Sequence, residues 1–137
     1  MTASLAYFIM PAGSDNNFNS KRAILQAIAQ RRGWVTHFPS YAVLRPNNDV
    51  MKPRDFSLPD LIREIRNASL VVADVSLERP SCYYELGVAQ ALGQPVFLLA
   101  SVGTVVHQVA GRDNVNFYSN LEELSCLFDT ALKKHSA

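Results

Sequence analysis

Leu70-Val-Val-Ala-Asp74, Pro80-Ser-Cys-Tyr-Tyr-Glu-Leu-Gly-Val-Ala-Gln-Ala-Leu-Gly93 and Pro95-Val-Phe-Leu-Leu-Ala100 follow one another with little between them. The outer two are short apolar runs, the pattern of strands buried on both faces of a sheet. The middle one reads as a helix beginning near Ser81. A strand, a helix and a strand in that order make a βαβ unit, and its two strands run parallel.

Outward from this unit the alternation continues. Leu5 to Met10 is an apolar run ended by Pro11 and the turn-rich Gly13-Ser-Asp-Asn-Asn17. A helix is predicted from Ser20 to Arg32, with Ala23, Ile24, Ala27 and Ile28 at helical spacing and Gly33 as its stop. Trp34 to Phe38 reads as the second strand, closed by Pro39. Residues 40 to 56 read as a long loop, a class that is often functional or mobile. Ser57 can cap a helix running through Leu61, Ile62 and Ile65. A short fifth strand near Val115 to Tyr118 and a closing helix from Leu121 to Lys133 complete the series.

The expected fold is a single α/β domain over 1–137, a Rossmann or flavodoxin-like three-layer sandwich. Its five-stranded parallel sheet has the order 2-1-3-4-5. Such sheets bind ligands outside the carboxyl ends of the strands, near the point where the strand order reverses. Three features fall at that edge: the loop after Met10, Asp74 with Ser76, and the start of the helix that carries Glu85.

Composition narrows the function from the other side. An apolar fraction of 48% and a charged fraction of 18% are those of an ordinary globular protein. The formal net charge of +1 gives no electrostatic footprint for a nucleic-acid polymer or an anionic membrane. No apolar stretch has the length of a transmembrane helix, and the start of the chain lacks a secretory pattern. A cytoplasmic protein is expected. Cys82 and Cys126 fit neither a metal spacing nor a disulfide framework. Cys82 falls in a first helical turn, where a thiolate is favoured. Dinucleotide, Walker, zinc and nucleophile-elbow patterns are missing, so neither a metal nor a cofactor is expected.

Glu85 is the only formally charged residue between Arg79 and Arg112. Its helical neighbours Cys82, Val88, Ala89 and Leu92 are small or apolar, so its face is not a solvated one. A carboxylate there is costly to bury unless it is paired. It is either a working group or a partly exposed acid that complements the helix macrodipole. Asp74 and Glu85 are expected to converge at one strand edge, as two carboxyls that could divide labour between a charge and a proton. Such a pair suits cleavage at an anomeric carbon, where the transition state is cationic. Gly13 to Ser20 could hold an anion through backbone donors, with Lys21 or Arg22 assisting, or could be a plain loop and cap. His37 and His107 stand isolated in the sequence and read as core or loop residues.

Val71-Val-Ala-Asp-Val-Ser76 with Cys82-Tyr-Tyr-Glu-Leu-Gly-Val-Ala-Gln-Ala-Leu-Gly-Gln-Pro-Val96 resembles the nucleoside 2-deoxyribosyltransferase superfamily. That group includes deoxynucleotide N-hydrolases and TIR-like relatives. The resemblance implies that Glu85 is the nucleophile, that Asp74 is the acid at the end of the preceding strand, and that Tyr7 positions Glu85. Met10, Pro11, Ser14, Asp15, Ser76, Tyr84 and His107 are the implied substrate-binding residues. His107 to Gly111 looks like a segment that reaches a neighbouring subunit's site in some members. Two departures stand out. Met10-Pro11 replaces a glycine common in transferases and hydrolases, which is more like the TIR branch, and the next loop lacks the glycine-rich pattern of the nucleotide hydrolases.

The resulting expectation is an enzyme that cleaves the N-glycosidic bond of a nucleoside, nucleotide or deoxynucleotide, by hydrolysis or by base transfer. A TIR-like NAD glycohydrolase and a non-catalytic nucleotide-binding or interaction module are the alternatives. A homodimer or larger oligomer is expected from the Tyr83-Tyr84 pair and the apolar stretch from Ser101 to Val109.

Overall fold

The computed structural model describes residues 3–39, 57–107 and 112–136. The predicted loop at 40–56 lies outside them, as do residues 108–111 of the segment after His107. The elements in chain order are β1 (Leu5–Ile9), α1 (Phe18–Arg31), β2 (Val35–His37), α2 (Leu58–Arg66), β3 (Leu70–Asp74), α3 (Pro80–Ala91), β4 (Val96–Ser101), a 3-10 turn (Arg112–Asn114), β5 (Asn116–Tyr118) and α4 (Leu121–His135). The sheet has five strands in the order β2-β1-β3-β4-β5, and every neighbouring pair is parallel.

Strand alternation sorts the side chains into two cores, one on each face of the sheet. Ala6, Phe8 and Met10 of β1 and its exit join Leu70, Val72 and Leu99 beneath α1 and α4. Tyr7 and Ile9 join Val71, Ala73, Val75, Leu98 and Ala100 beneath α2 and α3. β3 is buried at all five positions, which is why its sequence is continuously apolar up to Asp74.

The helix boundaries follow local chemistry. Ser57 caps α2 by accepting the Asp60 backbone N–H at 3.3 Å, as its place before the apolar periodicity predicts. Gly33 ends α1 at φ +74°, a conformation that costs other residues strain. α1 begins two residues before the predicted Ser20, because Phe18 is buried in the α1–α4 core and anchors the first turn. α3 opens with Pro80, whose missing N–H costs nothing in a first turn. No helix among the described residues is long and apolar enough to cross a membrane.

Candidate active site

At the carboxyl edge of the sheet, on the α2–α3 face, lies a cavity of about 530 Å³. Tyr7 and Glu85 form part of its wall, with Met10, Pro11 and Ser14 on the β1 exit and Tyr84 beside Glu85. These six are residues the sequence singled out. A larger hollow of about 620 Å³ between α1 and α4 is lined by Ile24, Ala27, Ile28, Gln30, Arg31 and Ser125, a set with no carboxylate, thiol or imidazole.

Tyr7 Oη donates a hydrogen bond to Glu85 Oε1 at 3.2 Å. The two come together because β1 turns its odd residues towards α3, and Glu85 lies in the second turn of that helix. Burial pushes the Glu85 carboxyl above its ordinary range, the Tyr7 bond pulls it back, and the charge of Glu64 adds to the rise. The phenol of Tyr7 is pushed far up, first by burial and then by Glu85. Tyr7 is therefore a fixed donor that stabilises the ionised acid. Removing that donor should be visible. Tyr7→Phe is expected to move the ionisation of Glu85 to higher pH, because the carboxyl then holds its proton more tightly; a 13C NMR titration at the Glu85 carboxyl carbon measures the shift.

Asp74 is not brought to Glu85. As an even-numbered residue of β3 it points to the opposite face of the sheet, and the expected convergence of the two carboxyls does not occur. Asp74 is 1% exposed. It accepts from Tyr118 Oη at 2.5 Å, from the Ser76 backbone N–H at 3.0 Å and from the Ser76 hydroxyl. Lys21 Nζ lies 3.6 Å from it and 2.6 Å from Asp15. These contacts also account for three other residues: Ser76 and Lys21 contact Asp74, Asp15 contacts Lys21, and none of the three lines the cavity. The N–H of Asn17, the residue before α1, donates to Asp15 at 2.8 Å, so the chain's own carboxylate takes one of the backbone donors that the loop could offer an anion. Arg22 lies over the Phe38 ring at 5.5 Å.

His107 is also elsewhere. Its Nδ1 is 2.9 Å from both carboxylate oxygens of Glu78, and it borders a separate groove with Tyr83, Leu86, Gly87 and Gln90. Cys82 is buried, and burial, then the charges of Glu85 and Asp74, push its thiol up to about 11. The first-turn position does not yield a thiolate, because the desolvation of this turn outweighs the helix dipole.

Sequence reasoning missed Arg79 and His37 on the cavity wall. Arg79 caps the start of α3 and donates from Nε to the Ser14 hydroxyl at 2.9 Å, joining the loops after β1 and β3. Its signal was its place immediately before Pro80 in a loop at the carboxyl edge. The preceding Glu78 has φ +48°, an uncommon backbone state for a side-chain-bearing residue. Tyr83 Oη donates to its carboxylate at 2.6 Å and so helps hold this turn. His37 pairs in register with Tyr7 across β2 and β1. The predicted strand order already placed those strands side by side, and that register was its signal.

No protein-family model matches the chain, and no curated protein matches it. Solved structures do. The CMP N-glycosidase of Clostridium botulinum is 18% identical with a TM-score of 0.62, over 91% of this chain and 98% of that one. The chain shares the parallel α/β architecture of that enzyme. A second neighbour, the 2-deoxyribosyltransferase of Bacillus psychrosaccharolyticus, is 15% identical with a TM-score of 0.57, over 89% and 90% of the two chains. At these identities the likeness establishes the architecture, and the chemistry has to be argued from the side chains.

Proposed function

We propose that this protein cleaves the N-glycosidic bond of a nucleoside or nucleotide, with Glu85 as the nucleophile. The observation that carries the reading is the Tyr7–Glu85 hydrogen bond on the wall of the carboxyl-edge cavity. Two structural neighbours named as an N-glycosidase and a deoxyribosyltransferase support it. In this scheme the Glu85 carboxylate attacks the anomeric carbon while the bond to the base nitrogen breaks. The electron pair leaves with the base, which takes up a proton. Water then opens the glycosyl ester and restores Glu85; a second base in place of water would give transfer. Hydrolysis is the preferred outcome of the two. Desolvation raises the free energy of the free carboxylate, and Tyr7 holds it in one orientation, so both favour attack. Asp74, held on the other face, acts by fixing the exit of β3 through Ser76, and hence the loop that carries Arg79.

Arg79 is the only Lys or Arg among the described residues of the cavity wall. Its guanidinium and the Ser14 hydroxyl, bonded to each other, suit an anionic group on the substrate, and a phosphate is the natural one for a nucleotide. Arg79→Ala is expected to raise KM for a nucleoside 5′-monophosphate by about tenfold or more, the value of one charged hydrogen bond, while changing the corresponding nucleoside by less than about twofold.

The direct test is chromatography of nucleosides, nucleotides and NAD after incubation with the protein, with and without a second base. Free base with free sugar identifies hydrolysis, and an exchanged nucleoside identifies transfer. Nicotinamide release from NAD alone would replace this substrate class with a dinucleotide. No product from any of them would leave a non-catalytic nucleotide-binding module.

A further inference from the structure

Two side-chain atoms among the described residues are buried without a hydrogen-bond partner: Nδ1 of His37 and Oε2 of Glu64. They belong to neighbours, because His37 Nε2 lies 3.5 Å from that same Glu64 oxygen. The imidazole is stacked on the Tyr7 ring, with centroids 4.7 Å apart and planes inclined by 6°. Tyr7 in turn donates to Glu85. Side chains from α2, β2, β1 and α3 thus form one contact chain that ends on the proposed nucleophile. Leaving buried polar atoms unpaired costs stability, a cost that apolar residues at these positions would avoid.

The charges suggest what the arrangement does. Glu64 and Glu85 repel, and this repulsion adds to the effect of burial in holding the Glu85 proton. Glu64 also contributes, after burial and Glu85 itself, to the rise of the Tyr7 phenol. His37 stands in contact with both Glu64 and the Tyr7 ring. Its Nε2 faces the Glu64 carboxylate at 3.5 Å, so an N–H there answers that charge, and its ring lies flat against the phenol that donates to Glu85.

We propose that His37 is a positioning residue, fixing the plane of Tyr7 and screening the Tyr7–Glu85 hydrogen bond from the charge of Glu64. The proposal rests on the reading of Glu85 as the working carboxylate. Among the described residues, the charged and titratable groups around Glu85 are Tyr7 from β1, His37 from β2, Glu64 from α2, and Cys82, Tyr84 and Arg79 from α3 and its cap, with Asp74 of β3 across the sheet. Of these, His37 is the one that touches both Tyr7 and Glu64.

The test follows the side-chain carboxyl carbon of Glu85 by 13C NMR titration, beside pH profiles of kcat/KM. His37→Phe keeps a stacked ring and removes the pairing. It is expected to move the Glu85 midpoint upward by about half a pH unit or more, with the acid limb of kcat/KM following. Adding Glu64→Gln to that variant should return the midpoint close to its native position. In the native background Glu64→Gln alone should move it much less. An unmoved midpoint in folded His37→Phe, or no return in the double variant, overturns the proposal. If His37→Phe does not fold, His37→Gln takes its place with the same expected direction. Should the native protein release no base while the midpoints still shift as described, the glycosidase reading falls and the electrostatic link stands.

Discussion

Glu85→Gln is expected to reduce base release by about a thousandfold or more, while the melting temperature stays unchanged or rises. Glutamine keeps the size and the ability to accept from Tyr7, so the cavity wall stays in place. What it removes is the negative charge that, in the proposed mechanism, attacks a carbon turning cationic. The gain in stability follows from linkage. Burial raises the folded-state value of this carboxyl. The ionised acid therefore destabilises the fold as pH rises above the unfolded value of about 4.3. At neutral pH glutamine relieves that penalty. Below the unfolded value both states carry the proton, and the stability difference between the two proteins should vanish. Product chromatography and thermal melts at two pH values read the whole prediction. Base release close to the native rate would remove Glu85 from the chemistry, and unfolding would make it a structural residue.

The fold was legible because its signals are repetitive. Continuous apolar runs at Leu70 and Pro95, caps such as Ser57 and stops such as Gly33 each mark a boundary, and the βα alternation orders the strands. Glu85 was legible for a related reason, as a lone charge in an apolar stretch. The position of Asp74 was misjudged because reaching the same edge of a sheet does not mean facing the same layer. Counting by two from Tyr7 along β1, and across the pairing of Tyr7 with Val71 to β3, puts Ala73 and Val75 on the cavity face and Asp74 on the other. That parity can be read from the sequence once a register is known, but the register depends on tertiary packing. Arg79, His37 and Glu64 were hidden differently: each is unremarkable in its own segment and gains meaning from side chains 27 to 65 positions away, as in the Arg79–Ser14 and Glu64–His37 contacts.

Lys21→Met should cost about 3–5 kcal/mol, the range for removing one partner of a buried ion pair. Lys21 looks like an ordinary solvated lysine in the sequence, yet its side chain is only 7% exposed. Its ammonium stands between Asp15 and Asp74 and lies 5.3 Å from the centre of the Tyr118 ring. Burial alone would lower its value, but Asp74, Asp15 and Tyr118 outweigh burial, and the net shift is upward. Its contribution is therefore complete below the unfolded value of about 10.4 and is lost only as pH rises through the higher folded one, so the cost should not vary between pH 6 and 9. Methionine fills much the same volume, which leaves the unanswered carboxylates as the reason for the loss. A fall in melting temperature on the order of 10 °C is expected. Adding Asp74→Asn should recover part of it, since the amide keeps the shape and removes a buried charge that has lost its partner. The consequence reaches the cavity as well: Asp74 fixes Ser76, and the chain then turns through Glu78 to Arg79. The single variant should therefore show a raised KM for a phosphorylated substrate even below its melting point. A loss of less than about 1 kcal/mol would mean that Lys21 behaves as a surface ion pair, and would detach this network from the site.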